Sequence, residues 1–287
     1  MSMTYITSLT QAKLSEMYTA FSAAFKKYPI SFDLSLADFE RKFITKLNLD
    51  RQASAGVFDG ERLVGFLFQT LGWHHEDLVA YNGGTGVLQD YRGRDLTRQM
   101  YAYVEQHCAN SGACRFLLEC LTNNAPAVRV YKACDFTITR LFHCFFLEKD
   151  FLPNIRLAQK VNMTLPSAPD WHLLAKLGQG MPAFEESIHQ LKRNAALYTV
   201  VEARIENEAV GCLMFDRITG RVAYLCVAEA YRRLGIATSM LHKMASMSYS
   251  PVIAAVNIDE GASELIGYFR RMTFENRFDQ YEMIRSI

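Results

Sequence analysis

The sequence predicts a mixed α/β protein built from two tandem copies of one unit, and three observations predict it. Helix and strand signals run in the same order in both halves. A shift of 140 sets Arg92 on Arg232 and Thr97 on Ala237, and a shift of 138 sets Tyr131 on Phe269 and Phe136 on Phe274. Between the halves, Phe151 to Trp171 carries Pro153, Pro166 and Pro169, a turn-rich boundary. The expected organisation is a first domain over 1–150, a linker over 151–170 and a second domain over 171–287. Length agrees, since 287 residues at about 150 per domain give two.

In the first half, Ser8-x-x-Gln11 reads as a capping box before Leu14, Met17, Phe21, Ala24 and Phe25, which share one helical face. Ser35-x-x-Asp38 repeats the signal before Phe39, Phe43 and Leu47. A hairpin follows, Ala55 to Phe58 and Leu63 to Leu71 joined through Asp59-Gly60, then a strand from Val79 to Leu88. Leu96 to His107 is a helix ending near Ser111-Gly112, and Arg115 to Leu121 a buried strand. Helix Ala125 to Ala133 and strands around Phe136 and Leu141 to Leu147 complete the unit. The second half offers a helix near Phe184 to Leu191 and strands Leu197 to Arg204, Val210 to Phe215 and Val222 to Val227. Helix Ile236 to Ser246, strand Val252 to Val256, helix Ser263 to Arg271 and strands at Phe274 and Tyr281 follow.

Composition excludes several classes. With 50% hydrophobic and 21% charged residues the chain buries a large core, and a formal charge of +1 provides no global field toward nucleic acid or an anionic membrane. Seven cysteines without a CxxC pair read as reduced, mostly buried thiols, with no metal. The N-terminus lacks the layout of a signal peptide and no apolar run reaches about 18 residues, so the expected location is the cytoplasm. Trp73-His74-His75-Glu76-Asp77 reads as a polar loop rather than a metal site, because adjacent histidines point apart on a strand.

The chemistry lies in two basic loops between a strand and a helix: Arg92-Gly93-Arg94-Asp95-Leu96-Thr97 after Val87, and Arg232-Arg233-Leu234-Gly235-Ile236-Ala237 after Val227. Orphan N–H groups and the positive helix end make such a junction a phosphate cradle. The Gly-x-x-x-x-Gly-Lys spacing of a Walker loop is absent.

These residues resemble the GNAT superfamily of acyl-CoA-dependent N-acetyltransferases, whose pyrophosphate loop reads Gln/Arg-x-x-Gly-x-Gly/Ala. The second half matches throughout, whereas the first has Asp95 and Thr97 at the small positions. Asn124-x-x-Ala127 and Tyr131-x-x-x-Asp135-Phe136 resemble the family's second cofactor motif, with Asp135 where the family has glycine. The second half has Asn257 for Glu119 and Phe269 for Tyr131. The resemblance implies, for each half, a largely antiparallel central sheet that splays where the acyl group enters. It further implies acetyl-CoA as cosubstrate and an amine acceptor, on a small molecule or a protein. Tyr131 is implied as the acid that protonates the departing thiolate, and Glu119 is a candidate acceptor of the ammonium proton. Both loops, with Val87, Val227, Asn124, Ala127 and Tyr131, are the expected cofactor residues. A non-catalytic acyl-CoA-binding or assembly module is the alternative; aminoacyl transfer from tRNA is disfavoured by the charge. Monomer and homodimer both stay open.

Overall fold

The computed structural model describes residues 3–26, 28, 30, 33–153, 161–178, 181–206 and 208–287. The chain divides into two compact units: Met1–Thr139 with Tyr281–Ile287, and Arg140–Gln280. The mixed α/β architecture expected from the repeat is present in both.

The first unit begins with strand β1 (Thr4–Ser8), helix α1 (Leu14–Phe25) and the short helix α2 (Leu36–Phe39), which widens into a π-helical turn over Glu40–Lys46. Ser8 thus ends a strand instead of capping a helix. The helix start is instead at Lys13, whose backbone N–H donates to Glu16 Oε2 at 3.0 Å. Ser35 caps as expected, accepting from the Asp38 N–H at 3.1 Å. Met17, Ala20, Phe21 and Ala24 are the buried face of α1. Phe21 packs on Phe43 at 5.2 Å between ring centres, and Phe66 stacks on Phe68 at 4.3 Å. Truncating so enclosed a ring as Phe21 costs about 3–5 kcal/mol.

Strands β2 (Ala55–Asp59), β3 (Arg62–His74) and β4 (Asp77–Val87) extend β1 as an antiparallel sheet. After helix α3 (Leu96–Asn110), β5 (Arg115–Leu121) joins β4 in parallel, from Val79↔Arg115 to Asn82↔Leu118. Helix α4 (Ala125–Ala133) and strand β6 (Thr137–Glu148) follow.

The second unit holds β7 (Asn162–Thr164), α5 (Trp171–Leu177), α6 (Ile188–Arg193), β8 (Thr199–Ile205), β9 (Glu208–Phe215), β10 (Val222–Val227), α7 (Ile236–Met247), β11 (Val252–Asp259) and α8 (Ser263–Arg271). The last strand is β12 (Glu275–Ser286). An antiparallel sheet runs in the order β10-β9-β8-β7, and β11 pairs antiparallel with β6 from Val252↔Glu148 to Asp259↔Phe142. Ile236, Met240, Leu241 and Met244 of α7 pack into one core with Phe145, Val201, Leu213 and Phe269.

The compact units do not follow the expected boundaries at 150 and 171. Strand β6 passes from Thr139 to Arg140 without interruption, and β12 starts in the second unit but supplies its last residues to the first. There Ile287 N–H donates to Cys114 O at 3.0 Å, and Thr139 Oγ1 to Glu282 Oε1 at 2.8 Å. Of the expected linker, 154–160 lie outside the described residues, while Asn162–Thr164 form β7 and pair with β8. The helix expected near Phe184 to Leu191 is a 3₁₀ turn, Phe184–Glu186, followed by α6, because Ser187 caps a new start by accepting from the Gln190 N–H.

Candidate functional site

The two basic loops share one backbone. Arg92 (φ −68, ψ 160) and Arg232 (φ −68, ψ 158) are extended. The second and fourth positions are left-handed in both: Gly93 (+76) and Asp95 (+57), Arg233 (+63) and Gly235 (+81). Each loop therefore places glycine at only one of its two left-handed positions. A non-glycine residue there costs about 1–2 kcal/mol, least for aspartate. Neither α3 nor α7 has a side-chain N-cap bond, so the first helical N–H groups stay available to an anion.

Arginine closes each loop onto its strand. Arg92 Nε donates to Val87 O at 3.0 Å and Arg232 Nε to Val227 O at 3.1 Å. Arg92 Nη2 also reaches Ala24 O at 3.2 Å, and Arg232 Nη1 reaches Glu264 Oε2 at 2.6 Å. Arg94 lies over the Tyr91 ring and bonds Asp90 O at 2.9 Å. Asp95 is ion-paired with Arg98, so its carboxylate has a cationic partner beside the first loop.

In the second unit a cavity of about 720 Å³ opens between this loop and α8. Val227, Arg232, Arg233, Gly235, Ile236 and Ala237 line it, while Leu234 is exposed outside the lining. The facing wall brings Ser263, Glu264, Tyr268 and Arg271, none of them anticipated from the sequence. Burial pushes the Tyr268 phenol up to about 12, and its hydroxyl lies 3.4 Å from Thr238 Oγ1. The volume lies within the usual range of ligand pockets, and three arginines with an uncapped helix start suit a phosphorylated ligand.

Both units splay beside the loop. Pairing of β4 with β5 stops at Asn82↔Leu118, and the second unit joins Arg221 to Ala254 by a single parallel bridge before β10 and β11 part. A bulge marks the same place in each: register shifts leave Gly83 and Ala223, 140 apart, as the extra residues. A second cavity of about 80 Å³ lies between β10 and β11, and shares Leu225 and Leu265 with the larger one.

In the first unit Asn82 organises the splay. Its side chain donates to Thr85 Oγ1 at 2.8 Å and to Tyr101 Oη at 2.9 Å, and accepts from Gly84 N–H at 2.9 Å. Asn82 and Thr85 also hydrogen-bond the Tyr131 phenol, which burial holds well above the ordinary tyrosine range. Glu119 accepts from Tyr81 Oη at 2.6 Å. The two candidates therefore engage different partners instead of each other. Asn124 caps α4 through the Ala127 N–H at 3.3 Å, a local reason for the Asn-x-x-Ala spacing, and Tyr28 bonds to it. The N–H groups following Val87 and Val227 are engaged, Leu88 with Val64 O at 2.9 Å and Ala228 with Val210 O at 2.8 Å.

At the matching places of the second unit, Phe269 is buried and stacks on Phe145 at 5.6 Å, while Asn257 accepts from Gln280 Nε2 at 2.6 Å. In the first unit Asn82 is the residue beside the candidate site that sequence reasoning missed. An asparagine followed by two glycines inside an apolar strand was its signal. Among the described residues no cluster of three or more His, Cys, Asp or Glu is arranged to hold a metal ion, and no helix is long and apolar enough to cross a membrane.

The chain resembles known proteins along nearly its whole length. Its fold matches a putative acetyltransferase from Pyrococcus horikoshii at 16% identity and a TM-score of 0.71, covering 99% of this chain and 89% of that one. It matches a tandem GNAT protein from the clavulanic acid biosynthesis pathway at 12% identity and a TM-score of 0.70, covering 99% and 98%. A mycothiol acetyltransferase from Corynebacterium aurimucosum is 33% identical over 85 residues, 29% of this chain and 28% of that protein's length. The sequence pattern described as the acetyltransferase (GNAT) family matches residues 14–136 and again 166–268. The chain belongs to the acetyltransferase (GNAT) family, as a tandem member with one copy in each half.

Proposed function

We propose that this chain is an N-acyltransferase that moves an acetyl group from acetyl-CoA to a primary amine on a small molecule or a protein. The observation that carries the reading is the 720 Å³ cavity lined by six residues expected to hold the cofactor. Acetyl-CoA supplies the acyl group as a thioester. The uncapped N–H groups of the Gly235 loop, with Arg233 and Arg271 in the lining, face a pyrophosphate.

For chemistry the reading turns to the first unit, whose Arg92 loop has the same left-handed positions and the same uncapped helix start and would hold an acetyl-CoA of its own. Glu119 takes the ammonium proton of the acceptor, directly or through water, and Tyr131 returns one to the thiolate. The raised pKa of Tyr131 keeps its phenol protonated at neutral pH, the form a proton donor needs. Phe269 at the corresponding place favours a second reading for the second unit alone, in which it binds acyl-CoA without turnover. The test is amine-dependent release of free thiol from acetyl-CoA across an amine panel. Tyr131→Phe is expected to lower kcat about 100-fold or more with the donor KM unchanged. Thiol release unchanged in Tyr131→Phe but abolished by Gly235→Glu with Ala237→Glu would move the chemistry to the second unit.

A further inference from the structure

We infer that Cys226 and Cys212 form a dithiol that undergoes exchange with a pantetheine-type disulfide, the disulfide of coenzyme A, held in the 720 Å³ cavity. The inference rests on the proposed donor site of the second unit and gives that site a second chemistry. The two cysteines are direct cross-strand partners where β10 pairs with β9, and both are free thiols. Two pairs along the ladder the Ala228 N–H bonds Val210 O, so the cysteines occupy a hydrogen-bonded position, where α-carbons lie about 5.5 Å apart. Disulfides span that separation. Cross-strand partners project to one face of a sheet, and both cysteines join the apolar cluster of Val200, Met214 and Ala223. The Cys226 thiol leans over its partner strand, where its sulfur accepts the Cys212 N–H.

The two thiols differ in what they face. Cys226 lines the cavity one residue before Val227 and feels the Arg232 guanidinium, whereas Cys212 lies behind it, outside the lining. Burial pushes both thiols up, Cys226 to about 12, while the Cys212 N–H and Arg232 favour the Cys226 thiolate. Dissolved oxidants therefore meet an enclosed, protonated pair, and exchange needs a disulfide that the cavity itself holds against Cys226. The Cys226 thiolate attacks one sulfur of that disulfide, forming a mixed disulfide and releasing the first CoA thiol. Cys212 then attacks the Cys226 sulfur, closes the Cys212–Cys226 bond and releases the second. Two protein thiols are oxidised, one small disulfide is reduced, and the two protons leave on the released thiols.

The test is release of free CoA from coenzyme A disulfide by the full chain carrying Cys114→Ser, which removes the exposed thiol, with intact mass and a peptide map as further readouts. The expected products are two CoA thiols per chain, a mass lower by two hydrogens and a Cys212–Cys226 cross-link. Cys212→Ala is expected to stop at a mixed disulfide on Cys226 with one CoA thiol released, and Cys226→Ala to release none. Oxidised glutathione at the same micromolar concentration is expected to react about 100-fold more slowly, because a docked disulfide meets Cys226 at an effective concentration in the millimolar range. Equal rates with the two disulfides, two thiols released by Cys212→Ala, or a chain that binds CoA by calorimetry and releases no thiol overturns the exchange site and leaves the donor site standing. Failure of CoA itself to bind overturns both.

Discussion

Arg92 and Arg232, 140 positions apart, make the same bond: the Nε of each donates to the carbonyl of the valine five residues earlier, Val87 at 3.0 Å and Val227 at 3.1 Å. The two loops are thus one structure written with different residues. Their first duty is to tie the helix start to the strand end. On the proposed function the anion donors are the main-chain N–H groups, so Asp95 and Thr97 can replace small residues without changing the loop backbone.

The left-handed positions give an immediate prediction. Gly235→Ala places a Cβ at φ +81 and is expected to cost about 1–2 kcal/mol, whereas Arg233→Gly relieves φ +63 and is expected to gain up to about 1 kcal/mol. Urea unfolding monitored by fluorescence measures both. Equal stability of the two variants would contradict the loop conformation.

Arg285 tests the return of the C-terminal strand to the first unit. Its guanidinium lies over Phe116 at 4.6 Å and Tyr101 at 5.5 Å, and pairs with Glu105 at 2.8 Å. Arg285→Ala is expected to destabilise the protein by about 2–3 kcal/mol, through lost packing as much as lost charge. Deleting Tyr281 to Ile287 is expected to expose the first unit to limited proteolysis while the second resists. A truncated chain as resistant as the full one would refute that placement.

Much of this was legible in the sequence, and the failures have physical causes. The repeat, the two loops and the buried aromatic face around Phe21 follow from periodicity and spacing. The route of β12 does not, because Glu275 to Ser286 is mostly polar, with Phe278, Tyr281, Met283 and Ile284 at no regular period, and register is set by partners far away in the chain. Strand β6 hides the unit boundary for a similar reason: nothing between Thr139 and Arg140 breaks an extended chain. Asn82 escaped because its importance comes from three hydrogen bonds made only once the strand bulges at Gly83. The acid role of Tyr131 and the base role of Glu119 rest on resemblance and chemistry, and proximity in sequence did not foretell that Tyr131 would bond Asn82 and Thr85 while Glu119 bonds Tyr81.

The cysteines give a pH prediction. All seven thiols are free, and six are buried with Cys114 exposed. Burial pushes Cys108, Cys120 and Cys226 up to about 12 and Cys144 up to about 11, from an ordinary 9.0. The unfolded chain therefore releases these protons near pH 9 and the folded chain only above 11. Their contribution to stability is complete below pH 9 and is lost as pH rises toward 12. Thermal midpoints are expected to be flat from pH 7 to 8.5 and to fall steeply above 9. At pH 8 a thiol-specific chromogenic reagent should titrate one fast thiol, Cys114; several fast thiols would contradict the burial.

The most direct measurement is calorimetric titration of acetyl-CoA into the wild-type chain, into Gly235→Glu with Ala237→Glu, and into Arg92→Glu with Gly93→Glu. The account predicts that the wild type binds, and that charging the Gly235 loop removes a site of the second unit while leaving the fold intact by circular dichroism. Unaltered stoichiometry and affinity after Gly235→Glu with Ala237→Glu would contradict the assignment of the 720 Å³ cavity to the donor, and a folded wild type that binds no acetyl-CoA would contradict the acetyltransferase activity itself.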